Sequence, residues 1–243
     1  MSKGAVVIRE QIGVRYRSAL VPLPEGFGSA ARDEVSGRVL PVQRVPTLPF
    51  DDGAAAGSAA LVLLDVEPGQ ELRLAPAAEA PAASPFRIKT GAEGTTIVNG
   101  ALAVRLPADG LWSRPLPGPI AAVRVGNGGW FGRSRLEGLP WPGRVDSRIE
   151  SAGPCCVQWR TCFRWGGDGE LTVRARWAAG TDTILVVEDA AEDSEAAVEW
   201  FPFGEAPARA WWRGGGERAG AMEPMTPRET ARLGRARGRR VVN

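Results

Sequence analysis

The stretch SAGPCCVQWRTCFRW, residues 151–165, decides the fold. Cys155, Val157, Trp159, Thr161, Phe163 and Trp165 fall on one parity. Cys156, Gln158, Arg160, Cys162 and Arg164 fall on the other. A period of two with one apolar and one mostly polar side predicts a half-buried antiparallel strand. On such a strand Cys156 and Cys162 stand about 20 Å apart at about 3.3 Å per residue, beyond disulfide reach. The cysteines therefore read as strand residues, not as a metal or redox centre.

The neighbours agree. A glycine-rich turn, Gly166-Gly167-Asp168-Gly169, leads into ELTVRARW, where Leu171, Val173, Ala175 and Trp177 oppose Glu170, Thr172, Arg174 and Arg176. Two matched strands around such a turn predict a hairpin. TDTILVVED reads as a more thoroughly buried strand, and RVDSRIE alternates again. Asn99-Gly100 between two apolar runs predicts a second hairpin, because both residues tolerate positive φ. EPGQ, between LVLLDV and ELRL, predicts a third. The best helix candidate is the short AAEDSEAAVEW, residues 190–200. The chain is thus expected to be all-β: an antiparallel β-sandwich over residues 86–213, preceded by a small β-barrel-like unit over 1–74. An Ala/Pro linker joins them over 75–85, since its prolines interrupt any helix. Residues 214–243 are read as a flexible, disordered, Arg-rich tail.

Composition narrows the chemistry. The 243 residues include no histidine, which removes the commonest acid/base, the Ser-His and Cys-His pairs and the commonest metal ligand. Three cysteines give neither a disulfide framework nor a zinc spacing. No run of eighteen apolar residues or continuous signal-peptide core is present, so the expected setting is cytoplasmic, with a clipped start as the alternative. Net charge is +2, but residues 228–243 hold six arginines against one glutamate, leaving the rest at −3. Without a matching basic patch on the body, the tail is read as solvated and nucleic acid is not expected as a partner. No cofactor or metal is expected; Asp51-Asp52 and Glu192-Asp193 offer carboxylates for Ca²⁺ but not the spacing.

Nine tryptophans carry the remaining signal. Trp159, Trp165 and Trp177 belong to the core by parity, and Trp200 lies in another strand candidate. Trp130, Trp141 and the pair Trp211-Trp212 lie on Gly/Pro-rich segments, where an indole face can stack on a sugar ring. Phe131 adjoins Trp130, and Arg133 and Arg135 supply fork-shaped donors for hydroxyls or carboxylates. These seven residues are the expected ligand-binding set. Asp146 with Glu150, and Glu170 with Glu188, are the carboxylate pairs from which glycoside cleavage would have to be built. Asp146 and Glu150 lie on a polar face beside Arg144 and Arg148, which predicts cross-strand salt pairing, and Glu188-Asp189 beside Glu192-Asp193 reads as a solvated acidic turn, so no catalytic residue is assigned.

Several segments resemble a β-rich region of carbohydrate-active enzymes. REQIGVRYRSALVPLPEG with SGRVLPVQ resembles the small β domain of exo-rhamnogalacturonan-lyase-like proteins and the β region of zinc-dependent α-mannosidases. TTIVNGALAVRLPADG and the span from IESAGPCC to ILVVED resemble a galactose-mutarotase-like supersandwich. The resemblance implies sugar-associated architecture; the histidines used by those enzymes are missing, so their activity does not carry over. The expected function is that of a non-catalytic, carbohydrate-associated region of a glycan-active protein, or a truncated part of one, which binds glycan or packs on a catalytic domain. The alternatives are a histidine-free hydrolase or lyase using Asp and Glu, and a scaffold or gene fragment.

Overall fold

In a computed structural model the described residues are 4–49, 51, 57–78, 83–113, 116–132, 134–137, 143–166, 169–190 and 197–199, with the short segments 211–212, 223–224 and 240–242. The protein is all-β, and its described residues contain no helix. The strands begin with β1 (Val6–Arg9), β2 (Tyr16–Leu23), β3 (Ala30–Asp33), β4 (Val39–Pro46), β5 (Ser58–Val66) and β6 (Glu71–Ala77). They continue with β7 (Arg87–Gly91), β8 (Gly94–Asn99), β9 (Leu102–Arg105), β10 (Gly110–Trp112), β11 (Leu116–Pro117), β12 (Ala122–Val125) and β13 (Arg135–Glu137). Next come β14 (Gly143–Ala152), β15 (Cys156–Trp165), β16 (Gly169–Ala178) and β17 (Ile184–Ala190). Last are β18 (Ala197–Glu199), β19 (Trp211–Trp212), β20 (Glu223–Pro224) and β21 (Arg240–Val242). Two compact units arise, one from Met1–Phe86, Ile149–Gln158 and Arg176–Ile184, the other from Arg87–Arg148, Trp159–Ala175 and Leu185–Asn243.

In the first unit six strands in the order β1-β6-β3-β4-β5-β2 form a curled half-barrel. Two strands make its corners. Val39, Leu40 and Pro41 of β4 pair with β3, whereas Val42–Pro46 pair with β5. Residues 71–74 of β6 pair with β1 and residues 74–77 with β3. The concave side closes over Leu23, Phe27, Ala31, Leu40, Val42, Val62, Leu64, Leu72 and Leu74. Removing this much apolar surface from water is the main stabilising term. The other side of β4 and β5 buries Val45, Ala59 and Leu61 with Cys156.

The structure corrects some of these expectations and adds detail to others. The EPGQ segment does turn, with Gln70 N–H bonded to Glu67 O at 3.0 Å, but β5 and β6 do not form a hairpin. Each has both its neighbours elsewhere, β5 between β4 and β2, β6 between β1 and β3. The Asn99-Gly100 hairpin exists as β8–β9, yet Asn99 pairs with Leu102 as a strand residue and only Gly100 takes positive φ, 60°. The helix candidate 190–200 contains strand β18, while 191–196 and 200 lie outside the described residues. β6 also continues to Ala77, into the segment read as linker. Of the expected tail, β20 pairs with β19 and β21 with β17; its other residues lie outside the described set.

The strand read first, β15, differs in burial. Cys155, Val157 and Trp159 are buried as their parity requires, but Cys156, Gln158 and Cys162 are buried too. In the first unit the polar row is covered, because Pro46 and Asp51 supply polar partners. Arg176, only 2% exposed, donates from Nη1 and Nη2 to both carboxylate oxygens of Asp51 at 2.5 and 2.8 Å. Its Nε donates to Gln158 Oε1 at 2.9 Å and its Nη2 also to Pro46 O at 3.1 Å. Gln158 Nε2 donates to Pro46 O and to Glu150 Oε2. A buried charge is tolerated when paired and fully bonded in this way.

Candidate functional site

The tripeptide Ala-Val-Arg occurs twice, at 103–105 in β9 and at 122–124 in β12. Antiparallel pairing sets Ala122 against Arg105, Val123 against Val104 and Arg124 against Ala103. One face of this two-strand patch therefore carries two arginines on one diagonal and two alanines on the other. Beyond β12 the chain reverses through Gly126-Asn127-Gly128-Gly129. Gly126 sits at φ 55°, a left-handed value that favours glycine, and its N–H donates to Ala101 O at 2.5 Å. The returning segment docks on β12 through Phe131, whose N–H and C=O both bond Val123 at 2.9 Å.

Trp130, one residue earlier, meets the arginine diagonal. The Cζ of Arg105 lies 4.3 Å from its ring centroid and that of Arg124 lies 4.9 Å away. Both distances are within cation–π range. The two cations are not equally satisfied. Arg105 Nη1 pairs with Glu93 at 2.5 Å. Glu93 projects from the two-residue turn between β7 and β8 and is 78% exposed. That turn is closed by Gly94 at φ +108°, where a Cβ would meet Leu106 O at 2.1 Å. Among the described residues Arg124 has no carboxylate partner, and its Nε is buried without a hydrogen-bond acceptor. Phe131 (43% exposed) and Val125 (57%) give the same loop an apolar surface.

Of the residues expected to bind ligand, the structure brings Trp130 and Phe131 together on this loop. Arg135 is exposed on β13, paired in register with Pro117 and Glu199. Arg133 and Trp141 lie outside the described residues, as do the side chains of Trp211 and Trp212. Sequence reasoning missed Arg105 and Arg124. The signal was present as the repeated Ala-Val-Arg, which matters only once the two copies are seen to face each other.

Glu170, Glu150, Asp51 and Glu188 are engaged by other groups of the fold, while Asp52, Glu192 and Asp193 lie outside the described residues. Glu170 accepts from Arg164 Nε at 2.9 Å, and this bond is the chief reason its carboxyl titrates below the ordinary glutamate range. Glu150 accepts from Gln158, Asp51 is bound to Arg176, and Glu188 on β17 has a polar partner as well. Among the described residues no group of three or more His, Cys, Asp or Glu side chains is placed to hold a metal ion. The three cysteines are free thiols. Burial pushes Cys155 up to about 11 and Cys156 up to about 12, so neither is a thiolate near neutral pH. Gln43 holds their backbone: its Oε1 accepts from the N–H groups of Cys155 and Cys156 at 3.0 and 2.9 Å. Its Nε2 donates to Cys156 O and Ser151 Oγ, both at 2.9 Å. Among the described residues no helix is long and apolar enough to cross a membrane.

No protein-family model matches the chain, and no curated protein matches it.

Proposed function

We propose that the protein is a non-catalytic, carbohydrate-associated β region that contacts glycan through the loop carrying Trp130 and Phe131. The observation that carries this reading is an aromatic pair, one ring 43% exposed, presented on a glycine-rich reversal beside two arginines. An aromatic face takes the apolar side of a sugar ring, and guanidinium forks bond its hydroxyls or carboxylates. Arg135 and the Trp211-Trp212 segment belong to the same expected set. Further support comes from the carboxylates that a hydrolase or lyase would need: Glu150 and Glu170 are each engaged by a neighbouring side chain. A catalytic domain of a glycan-active protein is the protein partner that fits such a module.

The test is a binding titration of the full chain against mannan, pectic and glucan polysaccharides, followed by isothermal calorimetry. Saturable binding that Phe131→Ala and Trp130→Ala each weaken at least about tenfold is the expected result, because base- or ring-stacking aromatics carry about 1–3 kcal/mol. Absence of binding to every polysaccharide by folded protein would contradict the reading.

A further inference from the structure

We propose that Arg105, Arg124 and Trp130 form an anion-binding site whose resident occupant is Glu93, and that a ligand's carboxylate or phosphate group binds by displacing it. The proposal deepens the glycan reading and rests on this face being a binding surface. Three observations carry it.

The first is an imbalance of charge. Two guanidiniums are held 4.3 and 4.9 Å from one ring centroid, and among the described residues only one of them has an anionic partner. A ring quadrupole attracts a cation but does not satisfy its N–H groups. Arg124 Nε illustrates this, being buried without an acceptor. A buried donor left unmade costs about 1–3 kcal/mol, so Arg124 is the less well satisfied of the two cations. The second observation is where the one anion comes from. Glu93 is 78% exposed while Arg105 is 24% exposed, so the carboxylate reaches in from solvent to a partly sheltered cation. An exposed ion pair of this kind contributes about 0.2–1 kcal/mol, little enough for a ligand to replace. The third is geometry. Register places both arginines on one face of β9–β12. Both sit against the same indole, and each could bond an incoming carboxylate or phosphate over about 2.8 Å.

Binding then follows a simple exchange. The ligand anion takes Glu93's place at Arg105 and adds bonds to Arg124, and Glu93 returns to water. Glu93 acts as a built-in competitor that keeps the site from binding stray anions weakly and sets a threshold for a ligand able to use both arginines. Carboxylate and phosphate share this chemistry, and the source is decided by experiment.

The experiment uses the full chain labelled with ¹⁵N, following the indole N–H resonance of Trp130, assigned by Trp130→Phe. Glucuronate, inorganic phosphate and glucose are titrated separately. An anion is expected to move that resonance saturably while glucose does not. Glu93→Gln, at an exposed position where folding is not at stake, is expected to tighten anion binding about two- to fivefold. Arg124→Gln is expected to weaken it at least about tenfold, and Arg124→Lys less. A response to glucuronate alone assigns the site to acidic sugars, and one to phosphate alone assigns it to phosphoryl groups. The proposal is overturned if no anion moves the Trp130 resonance in wild type or Glu93→Gln. It is equally overturned if Arg124→Gln binds as wild type does. Binding of neutral polysaccharide with no anion response would leave the glycan reading standing and remove the anion site. Anion binding with no polysaccharide response would do the reverse.

Discussion

Arginine is housed in two different ways in this molecule. In the first unit Arg176 is almost fully buried, and its guanidinium reaches Asp51, Gln158 and the Pro46 carbonyl. In the second unit Arg105 and Arg124 are half-buried against Trp130; Glu93 pairs with Arg105, and Arg124 Nε is left without an acceptor. The difference separates structure from function. A charge inside a fold has to be satisfied by the fold, whereas a partly exposed charge can also be met by a group outside it.

The largest effect expected is therefore at Arg176. Asp51→Asn leaves a buried guanidinium without its countercharge, and urea unfolding is expected to register a loss of about 3–5 kcal/mol. Replacing both members, Asp51→Leu with Arg176→Met, is expected to restore a large part of that loss. A double variant no better than the single would mean that the ion pair itself, and not the avoidance of an orphan charge, holds the fold. Next in size is Gln43→Ala, which strips partners from the backbone of Cys155 and Cys156. Unmet buried groups there cost about 1–3 kcal/mol, measurable in the same unfolding experiment. Thiol titration gives an independent check: Cys155 and Cys156 should stay unreactive in native wild type at pH 8 and become reactive on unfolding.

A smaller effect, confined to low pH, is expected at Glu10. Its carboxylate accepts N–H bonds from Gly69, Ile12, Gly13 and Val14, and the Gly69 bond leads in holding its titration below the ordinary value of 4.5. A lowered folded pKa gives stability that is present above the unfolded value and lost as pH falls through the folded one. Glu10→Gln is expected to flatten the acid limb of the stability curve below about pH 4.5. An acid limb as steep as that of wild type would show that this carboxylate is not linked to folding.

The same contrast explains what was legible in the sequence. Period-two alternation located β14, β15 and β16, because a strand with one apolar side imposes that pattern on its own residues, and the apolar run Ile184–Val187 located β17. It separated polar from apolar faces without revealing which polar face meets water. Gln158 and Arg176 lie on a polar row and are buried, since their partners Pro46 and Asp51 are more than a hundred positions away. The Pro-Gly turn after β5 was equally visible, but the strands that β5 and β6 pair with are set by the curl of the sheet. Trp130 and Phe131 could be singled out as loop aromatics. Their arginine neighbours depended on register, and register is a long-range property.

The most direct test of the central contrast needs no ligand. Urea midpoints of Arg124→Gln and Arg105→Gln should give stabilities within about 1 kcal/mol of wild type, the size of an exposed cation–π contact. A loss of about 3 kcal/mol or more from either, comparable to breaking the Asp51–Arg176 pair, would contradict the account. Those two arginines would then serve folding as Arg176 does, and the face around Trp130 would be packing instead of a site.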